Sequence, residues 1–133
     1  MQQNLQWHPG FYAAIQIEFK NEQSMLIFEN EHHLGTKPKQ IDVLIIKKNS
    51  GAAIQKNIGR IFRQHNIIEY KEPDDYLSIN DFYRTYAYAC FYQSDTDGVC
   101  DISPEELTIT FVCGHYPHKL IKHLADVRGM SVE

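Results

Sequence analysis

Near the middle of the chain, His65-Asn66-Ile67-Ile68-Glu69-Tyr70-Lys71 sets a carboxylate two residues before an amine in an otherwise apolar run. In an extended strand such residues share a face, so Glu69 and Lys71 project together while Tyr70 points away and offers its carbonyl oxygen near the same edge. A second apolar run, Ile41-Asp42-Val43-Leu44-Ile45-Ile46, carries a single acid, Asp42. If these two strands are neighbours, Asp42, Glu69 and the Tyr70 carbonyl form an oxygen-rich site for Mg²⁺, with Mn²⁺ able to take its place. Two close carboxylates disfavour ionisation, and a divalent cation reverses that penalty. Such a site holds a phosphate oxygen and activates a water for attack on phosphorus. Lys71 would orient that water or neutralise developing charge, and Glu18 would reach the same metal through a water. A structural ion-pair network of Asp42, Glu69 and Lys71 without catalysis is the competing expectation.

Six elements and a trailing helix must position these groups. Phe11, Ile15 and Phe19 recur at helical spacing after Pro9-Gly10, and Met25–Phe28 is a short strand followed by the turn residues Gly35-Thr36-Lys37-Pro38. Ile41–Ile46 reads as a strand covered on both faces. Residues 49–64 form a loop with one helical turn around Ile54, Ile58 and Ile61, and residues 66–71 form a third strand ended by Pro73. Ser78 caps a tyrosine-rich helix over 79–92 with Asp81 in its first turn. Leu107–Val112 alternates as a half-buried strand, and a last helix spans about 117–125. The order α-β-β-β-α-β with a trailing helix implies an α/β fold, a mixed four-stranded sheet flanked by helices.

The 133 residues suit one domain, 1–133. Hydrophobic residues at 43% and charged residues at 23% exclude a disordered tail or a low-complexity polymer. No run approaches a membrane span and the N-terminus lacks a signal-peptide pattern, so no membrane association and a cytoplasmic location are expected. Cys90, Cys100 and Cys113 have no C-x-x-C spacing and read as reduced thiols. The net charge of -4 argues at first against nucleic acid, but its distribution is uneven. Residues 36–71 hold eight basic and two acidic side chains, a net of +6, whereas residues 72–106 hold one and nine, a net of -8. Lys47, Lys48, Lys56, Arg60 and Arg63 are therefore candidate phosphate contacts, with solvated faces as the plain alternative.

A helical Glu18, the strand acid of QIDVLII and the Glu-x-Lys of IIEYK, in this element order, resemble the PD-(D/E)XK nuclease superfamily over about residues 10–112. The stretch from His65 to Tyr92 is similar to bacterial nuclease-like or transposase-associated proteins without well-defined substrates. The resemblance implies a restriction-endonuclease-like fold and Mg²⁺-dependent hydrolysis of DNA or RNA, with Asp42 and Glu69 as metal ligands, Lys71 as catalytic lysine and Glu18 as auxiliary acid. It departs from the motif at Ile41, where the name has proline, and in the long spacing of 27 positions from Asp42 to Glu69. Asn80, Tyr83 and Tyr86 stand where some members carry a helical glutamine. The alternative expectation is an inactive domain of this fold that binds nucleic acid or protein. The resembled proteins often continue past the equivalent of LADVRGMSVE, so the chain is expected to be the N-terminal part of a longer protein. Cutting both strands of a duplex would require a second site, hence a homodimer.

Other features carry less. His32-His33 and Cys113-x-His115-x-x-His118 lack a second ligand pair at zinc-finger spacing. Asp95-Thr96-Asp97-Gly98 reads as a turn, and Tyr83, Tyr86, Tyr88 and Tyr92 as packing. Neither G-x-G-x-x-G nor a Walker motif is present, so no nucleotide cofactor is expected.

Overall fold

A computed structural model describes residues 7–30, 43–49, 54 and 56–131. Helix α1 spans Trp7–Glu18 and passes through a 3-10 turn, Lys20–Met25, into strand β1, Leu26–Asn30. Strands β2, Val43–Lys48, and β3, His65–Tyr70, follow, with a 3-10 turn at Asn57–Gly59 between them. Helix α2, Ile79–Ser94, leads through a 3-10 turn at Pro104–Glu106 to β4, Leu107–Val112, and α3 spans His118–Arg128. The element order matches the expected one. Helix α1 starts earlier than its hydrophobic spacing suggested, with Pro9 in its first turn, where a missing N–H costs nothing because the first amides of a helix have no intrahelical acceptor. Helix α3 runs past residue 125 to Arg128 and closes on Gly129, whose φ of 60° is the left-handed conformation glycine adopts most easily.

The sheet has the order β1-β2-β3-β4, antiparallel between β1, β2 and β3 and parallel between β3 and β4. A parallel neighbour needs a crossover, and α2 supplies it. Alternation along the strands sorts the core into two layers. Leu44, Ile46 and Ile68 face α1 and pack with Ile15 and Phe19. Val43, Ile45 and Ile67 face α2 and pack with Tyr88, Ala89 and Tyr92. Val43 to Ile46 are all buried, as expected for a strand covered on both sides. Leu77 and Phe82 join Leu120 and Leu124 of α3 in a third cluster against Phe111.

Both long helices run antiparallel to β3. The Phe11 ring of α1 stacks on Tyr70, at the end of β3, with centroids 4.5 Å apart, while Phe19 meets Phe62, just before β3 begins. Asp81, in the first turn of α2, meets Lys71 after β3, while Tyr92 near its end meets His65. These two directions decide which side chains share an end of the sheet.

One polar residue pins the start of β3. Asn66 has no exposed surface. Its Nδ2 donates to the carbonyls of Ile46 at 2.9 Å and Arg63 at 2.7 Å, and its Oδ1 accepts from the Arg63 N–H at 2.8 Å and the Thr108 hydroxyl at 2.6 Å. One side chain thus ties β2, β3, β4 and the preceding turn together.

Candidate active site

The carboxyl end of β3 is the end at which Glu69 and Lys71 stand. Glu69 alternates with Ile67 and so faces α2, lying opposite Val43 on β2 and Phe111 on β4. Its Oε2 is shut off from solvent. The Lys71 N–H donates to the Val112 carbonyl at 2.8 Å, which turns the backbone groups of Glu69 and Lys71 toward β4. By the same alternation the Tyr70 carbonyl points toward β2, and its side chain points to α1. Burial, then the Glu72 charge, raises the Tyr70 phenol above its ordinary value.

The Lys71 ammonium lies 3.2 Å from Asp81 Oδ2. Asp81 is also the third residue of a capping box: its N–H donates to Ser78 Oγ at 3.0 Å, and the Ser78 N–H donates to Asp81 Oδ2 at 2.9 Å. Arg84 reaches the other carboxylate oxygen at 3.0 Å. Burial alone would raise the Asp81 carboxyl, but the Ser78 hydrogen bonds and the Lys71 ammonium outweigh it and hold the group below the usual carboxylate range. Asp81 therefore stays ionised and keeps Lys71 on the Glu69 face.

Two loops flank this end. An added Cβ on Gly114, just after β4, would stand 2.7 Å from the Pro73 carbonyl oxygen and 3.1 Å from its Cα, so the loops after β3 and β4 are in backbone contact. Tyr76 stacks on His115 with centroids 4.3 Å apart, and Tyr116 meets His118 edge-on at 4.6 Å. Because the obstacle to Gly114→Ala is backbone, the substitution is expected to cost about 1–3 kcal/mol by forcing the loops apart. Urea denaturation checks this, and a variant as stable as the wild type would show that the contact is not tight.

The other candidate residues do not gather here. Glu18 ends α1, close to the start of β3, and its partner is Lys56 at 3.9 Å. Sequence position late in the first helix suggested a reach to Glu69; the antiparallel run of α1 carries Glu18 to the opposite end of the sheet. Lys47 lies opposite His65 and is bound by Glu29 at 2.6 Å. Lys48 ends β2, and the exposed Lys56, Arg60 and Arg63 precede β3. All five basic candidates thus lie at the amino end of β3, roughly 13 Å or more along the strand from Glu69. Asp42 lies outside the described residues, as does the His32-His33 pair. Among the described residues, no three His, Cys, Asp or Glu side chains converge as metal ligands.

A second polar cluster occupies that amino end on the α2 face, and the sequence reading missed it. The Tyr92 hydroxyl lies 2.8 Å from His65 Nδ1, beside the Lys47–Glu29 pair. The sequence carries little signal for it, because Lys47 and His65 stand just outside the apolar runs read as strands, Ile41–Ile46 and residues 66–71. Burial, then Glu29, pushes the Tyr92 phenol up to about 12, so the hydroxyl keeps its proton beside the imidazole. Burial raises Tyr88 as well, with Tyr92 and Glu29 adding to it. Burial, then Lys47, lowers the His65 pKa from 6.5, against the smaller opposing pulls of Glu29 and Glu106. The unfolded chain then binds more protons than the folded one between that lowered value and 6.5. The stability contributed by neutral His65 is complete above pH 6.5 and declines as pH falls through this window. Denaturation midpoints measured either side of pH 6.5 should show the decline, and His65→Asn should flatten it; an equal slope in both proteins would refute the assignment.

No helix among the described residues is long and apolar enough to cross a membrane. All three cysteines are free thiols, with Cys90 and Cys100 exposed. No family model, no curated protein and no solved structure matches the chain.

Proposed function

We propose that the chain is a Mg²⁺-dependent phosphodiesterase of restriction-endonuclease-like fold that hydrolyses DNA or RNA at the carboxyl end of β3. The observation that carries this reading is that one face of that strand end carries both Glu69 and Lys71, the latter with its ammonium held by Asp81. The donors are hard oxygens of the kind Mg²⁺ takes, and Mg²⁺ keeps several waters, so one or two carboxylates suffice. Glu69, the Tyr70 carbonyl and Asp42, the residue before Val43, would hold the ion. Bound there, Mg²⁺ or Mn²⁺ would polarise a phosphate oxygen and lower the pKa of a water. Lys71 would donate to the phosphate oxygen that gains charge, and Asp81 would fix its position without sharing the metal. Glu18, paired with Lys56 at the other end, has no part in this site. Lys47, Lys48, Lys56, Arg60 and Arg63 would reach only phosphates several nucleotides away, since each nucleotide of a strand advances about 3.4 Å.

The Lys71–Asp81 ion pair also favours a second reading, in which Lys71 is a structural partner of the α2 cap and the domain binds nucleic acid or protein without catalysis. Incubating purified protein and its Lys71→Ala variant with plasmid and single strands in Mg²⁺ or Mn²⁺ separates the two. Metal-dependent cleavage lost in the variant supports the enzyme; cleavage no greater than the variant's supports the binding domain.

A further inference from the structure

We propose that Tyr76 and Tyr116 are a stacking site for unpaired nucleobases, so that the carboxyl end of β3 and β4 receives a single strand or a frayed end rather than intact duplex. This deepens the phosphodiesterase reading and rests on it only for the link between binding and cleavage. Tyr76 is 71% exposed and Tyr116 65%, the two most exposed tyrosines among the described residues. Neither ring is loose. His115 covers one face of Tyr76 with an interplanar angle of 19°, which leaves the opposite face open, and the next residue, Leu77, is anchored in the core beside Phe82. His118 braces Tyr116, and the Gly114–Pro73 contact clamps the two loops to each other. A ring fixed in advance loses little freedom when a flat ligand stacks on it.

The Tyr76 loop leaves the end of β3, where Glu69 and Lys71 stand, and the Tyr116 loop leaves the same end of its parallel neighbour β4, so a strand whose base lies on Tyr76 brings its phosphates toward that end of the sheet. Stacking is open to any base with a free face, and within duplex those faces are covered. Charge argues in the same direction. Glu72, Asp74 and Asp75 line the Tyr76 loop, and their carboxylates repel phosphates of either form, the double row of a duplex more strongly than a single strand. The neutral ring takes a base, while Lys71, His118 and Lys119 lie close by in sequence for one strand's phosphates.

The test uses the full chain in EDTA, so that no cleavage occurs, and a single-stranded oligonucleotide with 2-aminopurine at its end, compared with the same sequence as duplex. The single strand is expected to bind more tightly, with quenched 2-aminopurine fluorescence. Tyr76→Ala is expected to weaken it about tenfold, and Tyr76→Phe to retain it, since an aromatic ring without the hydroxyl still stacks on a base. Tyr116→Ala, on the other loop, is expected to weaken it as well, which guards against a local misfold in one variant. Equal affinity for duplex, unchanged affinity in both alanine variants, or binding of a Lys/Arg peptide but no oligonucleotide would overturn the proposal. Stacking without cleavage when Mg²⁺ is restored upholds this site and overturns the phosphodiesterase reading.

Discussion

Lys71→Ala is expected to lower metal-dependent cleavage by about 10²- to 10³-fold, the usual effect of removing one preorganised group that stabilises developing charge. It is expected to leave the fold intact. The ammonium is partly exposed and its pair with Asp81 is one of several contacts that Asp81 makes. Ser78 and Arg84 remain to satisfy the carboxylate, so the stability loss should stay within about 1 kcal/mol, as for other partly solvated pairs. Rates on a single-stranded substrate, read beside a urea denaturation curve, make the comparison. A variant that cleaves as fast as the wild type removes Lys71 from the chemistry; one that unfolds makes Lys71 a structural residue of the α2 cap.

The largest stability effect is expected at Asn66. Asn66→Leu removes the four hydrogen bonds that this fully buried side chain makes to the Ile46 and Arg63 carbonyls, the Arg63 N–H and the Thr108 hydroxyl. The bond to Ile46 is buried and the other three are part-buried, where water can replace the lost partner, so at about 0.5–1.5 kcal/mol net per bond a loss of about 2–4 kcal/mol is expected. Asn66→Asp should be no better, because a second carboxylate oxygen would face two carbonyls where Nδ2 donates. Urea midpoints with an unchanged m-value measure the loss. A Leu variant within about 0.5 kcal/mol of the wild type, the range of ordinary surface substitutions, would mean that β2, β3 and β4 do not depend on this side chain.

These two residues differ in how far the chain announces them. Lys71 stands two places from Glu69 in an apolar strand, a pattern that period-two alternation makes readable, and the structure keeps both on the α2 face. Ser78 and Asp81 spell a helix start, and both bonds of the capping box are present. Asn66 was readable only as the opening residue of a strand. Its signal, an amide that sits poorly in a strand, has no meaning until Arg63, Ile46 and Thr108 are known to surround it. The tyrosines of α2 divide in the same way. Tyr88 and Tyr92 are buried on the sheet, while Tyr86 lies beside Arg128 of α3, 5.2 Å from ring centroid to guanidinium carbon.

The basic candidates of the +6 block are near Glu69 and Lys71 in the chain but not in the fold. Lys47, Lys48, Lys56, Arg60 and Arg63 are close to Glu69 and Lys71 along the chain, and that closeness suggested one positive site. β2 and β3 are antiparallel, so the end of β2 lies beside the start of β3, and the basic residues collect one strand length from the carboxylate. Glu18 is displaced for the same kind of reason, because α1 runs against β3.

The sequence by itself determined the elements, their order, the two-sided burial of β2 and the shared face of Glu69 and Lys71, because all of these follow from periodicities of two or about 3.6 residues and from local caps. Only the tertiary structure decided the strand order, the directions of the helices, the role of Asn66, the Lys71–Asp81 pair and the Tyr76–His115 stack. Each of those depends on contacts between residues far apart in the chain, and local spacing holds no record of which end of one element meets which end of another.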